Sequence, residues 1–221
     1  MKKISRRLAL AGALTAPLAL AACSEKTATD DTKPSTAPAP SSDADGGVAN
    51  APAEPSPTAF PQGTFTAQND TGAVFTIHAP ADLPKDLANL NKDLKQPEWY
   101  AVSIDIDNSR GTENSGPSDV VMVDEEGQEI SFESAFVVVG DASPEWDGED
   151  HYAVGGEPVD EATYRDLNNR SVDVYNKYLE DGARPRAKST AWYLGTEPVP
   201  EKLLYVAVIE AMQEFEAQPA K

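Results

Sequence analysis

Apolar and polar residues alternate with a period of two through much of the chain after residue 60. The clearest stretch runs from Trp99 to Asp107 and is followed by turn-forming residues at 108–111. Because successive side chains of a β-strand point to opposite faces, this alternation predicts a strand with one buried and one polar face. Its buried side chains are expected to be Tyr100, Val102, Ile104 and Ile106.

The same alternation predicts further short strands, separated by clusters of Gly, Pro, Asn and Asp. These strands are residues 64–66, 72–78, 119–124, 128–133, 135–140, and a final hairpin of 187–195 with 202–210. Seven or so strands without a helix after each one favour a β-sandwich over an α/β sheet. The predicted fold class is all-β.

Two segments have helical spacing instead. Leucines recur at intervals of four, three and four residues from Leu83 to Leu94, with Pro84 suited to a first turn and Pro97 to a stop. A second helix is predicted over about residues 160–181.

The second helical segment carries an aromatic stripe. Asp160 is its predicted N-cap, and Gly182 is predicted to follow its last turn. A stripe at this spacing is more often a seam facing the core than a binding site. Its residues are Tyr164, Leu167, Ser171, Tyr175, Tyr178 and Leu179.

Three stretches together resemble a known domain. They are the strand that ends at Asn108, the acidic hairpin that contains Gly127, and the proline-separated strand pair at 185–209. This combination is similar to the telokin-like, immunoglobulin-like domain of bacterial secreted lipoproteins of unknown function. The resemblance implies an immunoglobulin-like β-sandwich with one or two inserted helices, here within an insert at about 144–183. It brings no catalytic residues.

The N-terminus has the parts of a bacterial export signal. Residues 1–7 carry four positive charges, and residues 8–22 carry none. Leu20-Ala21-Ala22-Cys23 resembles the lipobox, in which signal peptidase II cuts before a cysteine whose thiol receives a diacylglycerol. Residues 1–22 are thus predicted to be a lipoprotein signal peptide, and Cys23 the lipidated residue.

Two questions about this signal stay open. The cysteine could be incidental to an ordinary signal peptide. The adjacent arginines Arg6 and Arg7 also form a weak twin-arginine motif, so the export route is either general secretion or the twin-arginine system.

A linker is predicted to follow the signal. Of the 36 residues 24–59, 26 are Pro, Ala, Ser, Thr or Gly, and Val48 is the one large apolar residue. Because such a segment has little to bury, residues 23–59 are predicted to be the anchor cysteine and a disordered linker. A flexible chain of this length would span about 33 Å. The folded domain is predicted at residues 60–221.

Charge and cysteine content exclude several kinds of partner and site. The chain has 37 acidic and 18 basic residues and a net charge of −19, which excludes binding through nucleic-acid phosphates. A single cysteine excludes a disulfide scaffold and a thiolate zinc site. A group of basic residues suggests either a dipolar surface for a charged protein partner or helix-face salt bridges inside the insert: Arg165, Arg170, Lys177, Arg184, Arg186, Lys188 and Lys202.

The acidic loop before the second helix is the main candidate site. Asp147, Glu149 and Asp150, with Asp141 and Glu145 nearby, offer the hard oxygen ligands that calcium prefers, although EF-hand spacing is absent. The alternative is a solvated loop that keeps the domain soluble.

Few other residues are candidates for catalysis or binding. Neither histidine, His78 nor His151, adjoins a nucleophile-elbow pattern, so no Ser–His–Asp triad, no catalytic residue and no cofactor is predicted. Trp146 is a candidate platform for stacking on a sugar ring or a partner. Trp99 and Trp192 lie on predicted strands and are expected in the core.

These features predict a membrane-anchored cell-envelope lipoprotein. The lipid on Cys23 would hold it at the extracytoplasmic face of the cell membrane, and its domain would bind a protein or an envelope polymer without catalysis. A calcium-linked surface module and an enzyme with an unrecognised carboxylate site are the alternatives. No nucleic-acid partner is expected.

Overall fold

The computed structural model describes residues 58–220. The predicted signal peptide, Cys23 and nearly all of the predicted linker lie outside the described residues. Among the residues described, no helix has the length and hydrophobicity needed to cross a lipid bilayer.

Strand residues outnumber helical residues in this range. The helices are α1 (Lys85–Asp93), α2 (Ala135–Asp141) and α3 (Glu161–Tyr178). The strands are β1 (Phe60–Pro61), β2 (Gly63–Gln68), β3 (Val74–Ala81), β4 (Tyr100–Asp107), β5 (Asp119–Asp124), β6 (Glu129–Ser134), β7 (Glu145–Trp146), β8 (Tyr152–Val154), β9 (Glu157–Val159), β10 (Lys188–Gly195), β11 (Lys202–Glu210), β12 (Gln213–Glu216) and β13 (Gln218–Pro219).

Ten of these strands form one antiparallel sheet that curls until its ends nearly meet. The strand order is β1-β11-β5-β6-β10-β4-β3-β2-β13, and β12 also pairs with β11. Only Gln62 separates β1 from β2, and only Ala217 separates β12 from β13, so both segments pass from one end of the sheet to the other. The predicted all-β class is confirmed as a near-barrel whose opposite walls pack in a sandwich-like way.

The interior of the near-barrel is the first hydrophobic core. The predicted apolar row of β4 points into it, and Val102 and Ile104 are completely buried. Tyr193 of β10 is also fully buried, and its hydroxyl donates to the Pro117 carbonyl at 2.8 Å, so the one polar atom of this ring is satisfied. Burial raises the pKa of Tyr193 well above its usual value.

A second core lies between the outer face of the β4–β10 pair and the helices. Ala101 of β4 and its cross-strand partner Leu194 of β10 point into it. The predicted leucine helix is confirmed as α1, and Leu87 and Leu90 are buried in this second core. Trp99 is 4% exposed there, as predicted, whereas Trp192 is half-buried at the edge.

The helix α3 begins at its predicted cap. The Asp160 carboxylate accepts a hydrogen bond from the Thr163 backbone N–H at 3.0 Å. Most of the predicted stripe faces the second core, since Leu167 and Ser171 are buried and Tyr175 and Tyr178 pack against this core. Tyr164 contacts Tyr152 instead, and Leu179 is exposed.

The predicted role of Gly182 as the residue after α3 is wrong, because α3 already ends at Tyr178. Gly182 instead lies against a neighbouring loop. A Cβ atom on Gly182 would stand 2.8 Å from the Ser115 carbonyl oxygen, so this close approach of two backbones requires glycine.

The predicted strand at residues 135–140 is also wrong, because this segment is α2. Ala135 and Val139 lie one helical turn apart and are both buried in the second core. Phe136 meets Tyr175 of α3 edge-on, with ring centroids 5.7 Å apart. Packing against α3 therefore outweighs the strand propensity of three consecutive valines.

The last two long strands do not form the predicted hairpin. β10 pairs with β4 and β6, and β11 pairs with β1, β5 and β12. The β5–β6 hairpin, which was correctly predicted, lies between them. The connection at 196–201 therefore spans three strand spacings of about 4.8 Å each, a distance that six residues reach easily.

Two ion pairs hold α3 on α1. Asp86 accepts hydrogen bonds from Lys177 Nζ at 2.5 Å and from the Tyr178 hydroxyl at 3.0 Å, and Arg170 binds Asp93 at 2.6 Å. Partial burial opposes ionisation of Asp86, but the hydrogen bonds from Lys177 and Tyr178 outweigh it. The pKa of Asp86 is therefore lowered.

Asp86→Asn is expected to lower the free energy of unfolding by about 1 kcal/mol at neutral pH. Because the folded state lowers the pKa of Asp86, its contribution is complete above the unfolded value of 3.8 and is lost as pH falls through the folded value. The difference in free energy of unfolding between variant and parent, measured by urea denaturation, should therefore be smaller at about pH 2 than at about pH 7. An equal difference at both pH values contradicts this account. Glu126→Gln, at an exposed hairpin residue, is the control.

Candidate functional site

The predicted acidic loop belongs to a small sheet that lies beside α3. Its strands β7, β8 and β9 pair so that Trp146 is opposite Tyr152, and Tyr152 is opposite Val159. Val154 of β8 is 1% exposed and belongs to the second core. The small sheet is thereby fixed to the domain, while the loop at 147–151 extends from it.

Three aromatic rings connect solvent to α3, and we call Trp146, Tyr152 and Tyr164 the aromatic stack. The indole of Trp146 is nearly parallel to the Tyr152 ring, with an interplanar angle of 18° and centroids 6.5 Å apart. The rings of Tyr152 and Tyr164 have centroids 4.7 Å apart. Trp146 is 58% exposed, so the outermost ring of the stack is available to a ligand.

A cavity of about 360 Å³ adjoins the aromatic stack. This volume is at the lower end of the range for ligand pockets, about 300–1,000 Å³. Aromatic and ionisable side chains both line it, which is the combination that binds small polar groups. Those side chains are Glu145, Trp146, Asp147, Asp150, His151 and Tyr152.

Negative charge at this cavity is only partly compensated. His151 Nδ1 lies 3.1 Å from Asp147 and 3.9 Å from Glu149. Within residues 58–220, neither Lys nor Arg forms an ion pair with a carboxylate of the loop, and the carboxylates of Glu145 and Asp150 accept no hydrogen bond.

The negative field reaches the aromatic stack. Burial, followed by the charges of Glu161 and Asp150, raises the pKa of Tyr152. The charge of Arg165, which is itself paired with Glu161, opposes this rise only in part. Tyr152 therefore stays neutral, and the surroundings of the stack favour positive charge.

The calcium candidates Asp147, Glu149 and Asp150 share one loop but do not converge. Asp147 accepts a hydrogen bond from the Glu149 backbone N–H at 3.1 Å and faces His151, so it organises the loop. Across residues 58–220, no group of three His, Cys, Asp or Glu side chains is arranged to hold a metal ion. Asp141, predicted to be nearby, lines a different cavity beside Trp99.

Six of the seven clustered basic residues pair with carboxylates, and the Arg165–Glu161 pair is a helix-face salt bridge inside the insert, as the second alternative predicts. The carboxylates come from α1, β4, the β5–β6 loop and the α3 region. Arg186 forms no ion pair within the described range. The pairs are Arg165–Glu161, Arg170–Asp93, Lys177–Asp86, Arg184–Glu180, Lys188–Asp107 and Lys202–Glu125.

A line of polar groups that the sequence did not predict lies on the outer wall of the near-barrel. His78 Nε2 lies 3.1 Å from Asp105, and His78 Nδ1 lies 3.4 Å from the Thr64 hydroxyl. A hydrogen bond from Thr190, and then the one from His78, lowers the pKa of Asp105 against partial burial. These side chains lie on the neighbouring strands β2, β3, β4 and β10.

A second unanticipated group closes one end of the near-barrel. Glu210 accepts hydrogen bonds from Asn69 Nδ2 at 2.6 Å, from the Ser115 hydroxyl at 2.8 Å and from the Gly116 N–H at 2.6 Å. These bonds hold the loop at 114–116 to β11 and use both oxygens of the carboxylate. The Asn-Asp-Thr-Gly turn that begins at Asn69 was the visible signal for this group.

Comparison of the chain with known protein families, with curated proteins and with solved structures finds no match. The candidate site is therefore defined by its own geometry.

Proposed function

We propose that this protein is a membrane-anchored lipoprotein of the cell envelope whose domain binds a partner outside the cytoplasmic membrane without catalysis. The lipid on Cys23 provides the anchor. The linker of residues 24–59 separates the domain from the membrane, and the acidic domain is repelled by anionic headgroups.

The exposed aromatic stack is the observation that carries the binding part of this proposal. Large aromatic side chains dominate binding energies at protein interfaces, because they bury much area at little entropic cost. Trp146 is the most exposed aromatic ring of the described domain, and Tyr152 and Tyr164 hold it in place from behind. A rigid ring next to a small cavity suits binding better than it suits a reaction.

An immunoglobulin-like origin of the domain is part of the proposal. It is supported by the all-antiparallel strands and by the hairpin that closes at Gly127. The motif residue Asn108 is fully buried and donates from Nδ2 to the carbonyls of Glu113 and Ala183, at 2.8 and 2.9 Å. Asn108 thereby fixes the loop that follows β4. This contact gives a structural reason for an Asn at the end of the strand.

Cys23→Ser should block processing, since serine lacks the thiol that accepts the lipid. We expect an uncleaved precursor without incorporated palmitate, whereas Ser24→Thr, the matched control next to it, should be processed and labelled normally. The fragment of residues 60–221 should be soluble and folded. Palmitate labelling that persists in Cys23→Ser, or a fragment that stays with the membrane, contradicts the anchor assignment.

Photo-crosslinking on intact cells tests the binding part. A benzoylphenylalanine at position 146 keeps an aromatic ring in the stack and should give a discrete crosslinked product in the envelope fraction. The same group at Met212, which is 98% exposed on the β11–β12 turn, is the control for simple accessibility. The same products from both positions, or none from position 146, would count against a binding site at the aromatic stack.

A further inference from the structure

We propose that the aromatic stack and its cavity bind a primary ammonium group carried on an alkyl chain, as in a lysine side chain. This inference rests on the proposed function and names the chemistry of the ligand at the same site.

The accessible face of the Trp146 ring favours a cation. The Trp146 indole N–H donates to the Glu149 carbonyl oxygen, so the donor of this ring is already used. The remaining interaction is made by the ring face, which carries negative electrostatic potential and attracts cations within about 6 Å. Trp gives the strongest cation–π interaction of the aromatic residues.

The carboxylates beside Trp146 lack the Lys or Arg partners that several other acidic residues of the described domain have. The acidic residues Asp86, Asp93 and Asp107 each pair with a Lys or Arg of this chain. The loop carboxylates beside Trp146 share only His151, which carries a full charge only when protonated. A cationic ligand would relieve repulsion among four carboxylates within seven residues, whereas a neutral sugar would not.

The lining of the cavity favours a primary over a quaternary ammonium. Glu145 and Asp150 line the cavity, and their oxygens accept no hydrogen bond from residues 58–220. A primary ammonium has three N–H donors for such acceptors, and a quaternary ammonium has none. The half-buried ring of Tyr152 can contact the alkyl chain behind the ammonium.

Nα-acetyl-lysine amide is the probe, and its Nε-acetylated form is the neutral control of nearly the same shape. The full-length chain, labelled with ¹⁵N-tryptophan in maltoside micelles, provides three indole resonances, and Trp146→Phe identifies that of Trp146. We expect a saturable shift of this resonance with the lysine probe. Binding of the acetylated form should be about fivefold weaker or more, because acetylation removes the charge.

Matched variants separate charge from simple apolar contact, with ligand-observed NMR as the measurement. Trp146→Leu should weaken binding of the lysine probe about fivefold, and Trp146→Phe should weaken it less, since phenylalanine keeps an aromatic face. The double variant Glu145→Gln/Asp150→Asn should weaken it about threefold or more. Glu126→Gln/Glu129→Gln removes two exposed charges from the distant β5–β6 hairpin and should have little effect.

These measurements distinguish failure of the ammonium inference from failure of the proposed function. Equal binding of the lysine probe and its acetylated form overturns the ammonium inference but leaves a binding site at the aromatic stack. Stronger binding of the trimethylated lysine probe overturns the choice of a primary ammonium. If no probe shifts the Trp146 resonance while crosslinking from position 146 still succeeds, the inference is wrong and the proposed function stands.

Discussion

Burial of both faces of the β4–β10 pair is the constraint on which the rest of the structure depends. Val102 and Tyr193 point into the near-barrel, while Ala101 and Leu194 point out into the second core. Full burial of a side chain such as Val102 or Leu194 stabilises the fold by about 1.5–3 kcal/mol. A sheet with one solvated face would have needed no helices, whereas this wall exposes apolar surface that α1, α2 and α3 must cover.

The helices that cover this wall also determine where the candidate site lies. α3 is held on the wall by Leu167 and by its ion pairs with α1. Its first turns present Tyr164, which supports Tyr152 and, through it, Trp146. The small sheet adds its own attachment through Val154 in the same core. An exposed tryptophan is thus held by two independent attachments, and such preorganisation reduces the entropic cost of binding.

Local sequence patterns predicted those elements whose buried side chains recur with the period of the element itself. The strand β4, the α1 leucines and the Asp160 cap belong to this group. The segment at 135–140 does not belong to this group. It is a helix because Phe136 packs on Tyr175 while Ala135 and Val139 are buried in the second core. The strands that pair with β10 depend on the strand order of the sheet, and the proline-containing connection at 196–201 does not determine that order. Trp146 was predicted as a candidate platform, but its neighbours could not be predicted. Tyr152 reaches it only through the pairing of β7 with β8, and Tyr164 reaches Tyr152 only through the position of α3.

The central claim is that charge and an aromatic face act together at Trp146. A crystal structure of the full-length chain with Nα-acetyl-lysine amide bound tests it most directly. The account predicts the ammonium nitrogen within about 6 Å of the Trp146 ring centroid, with Glu145 or Asp150 as its hydrogen-bond acceptor. A probe bound elsewhere on the domain, or one whose ammonium points away from Trp146 into solvent, would contradict the account.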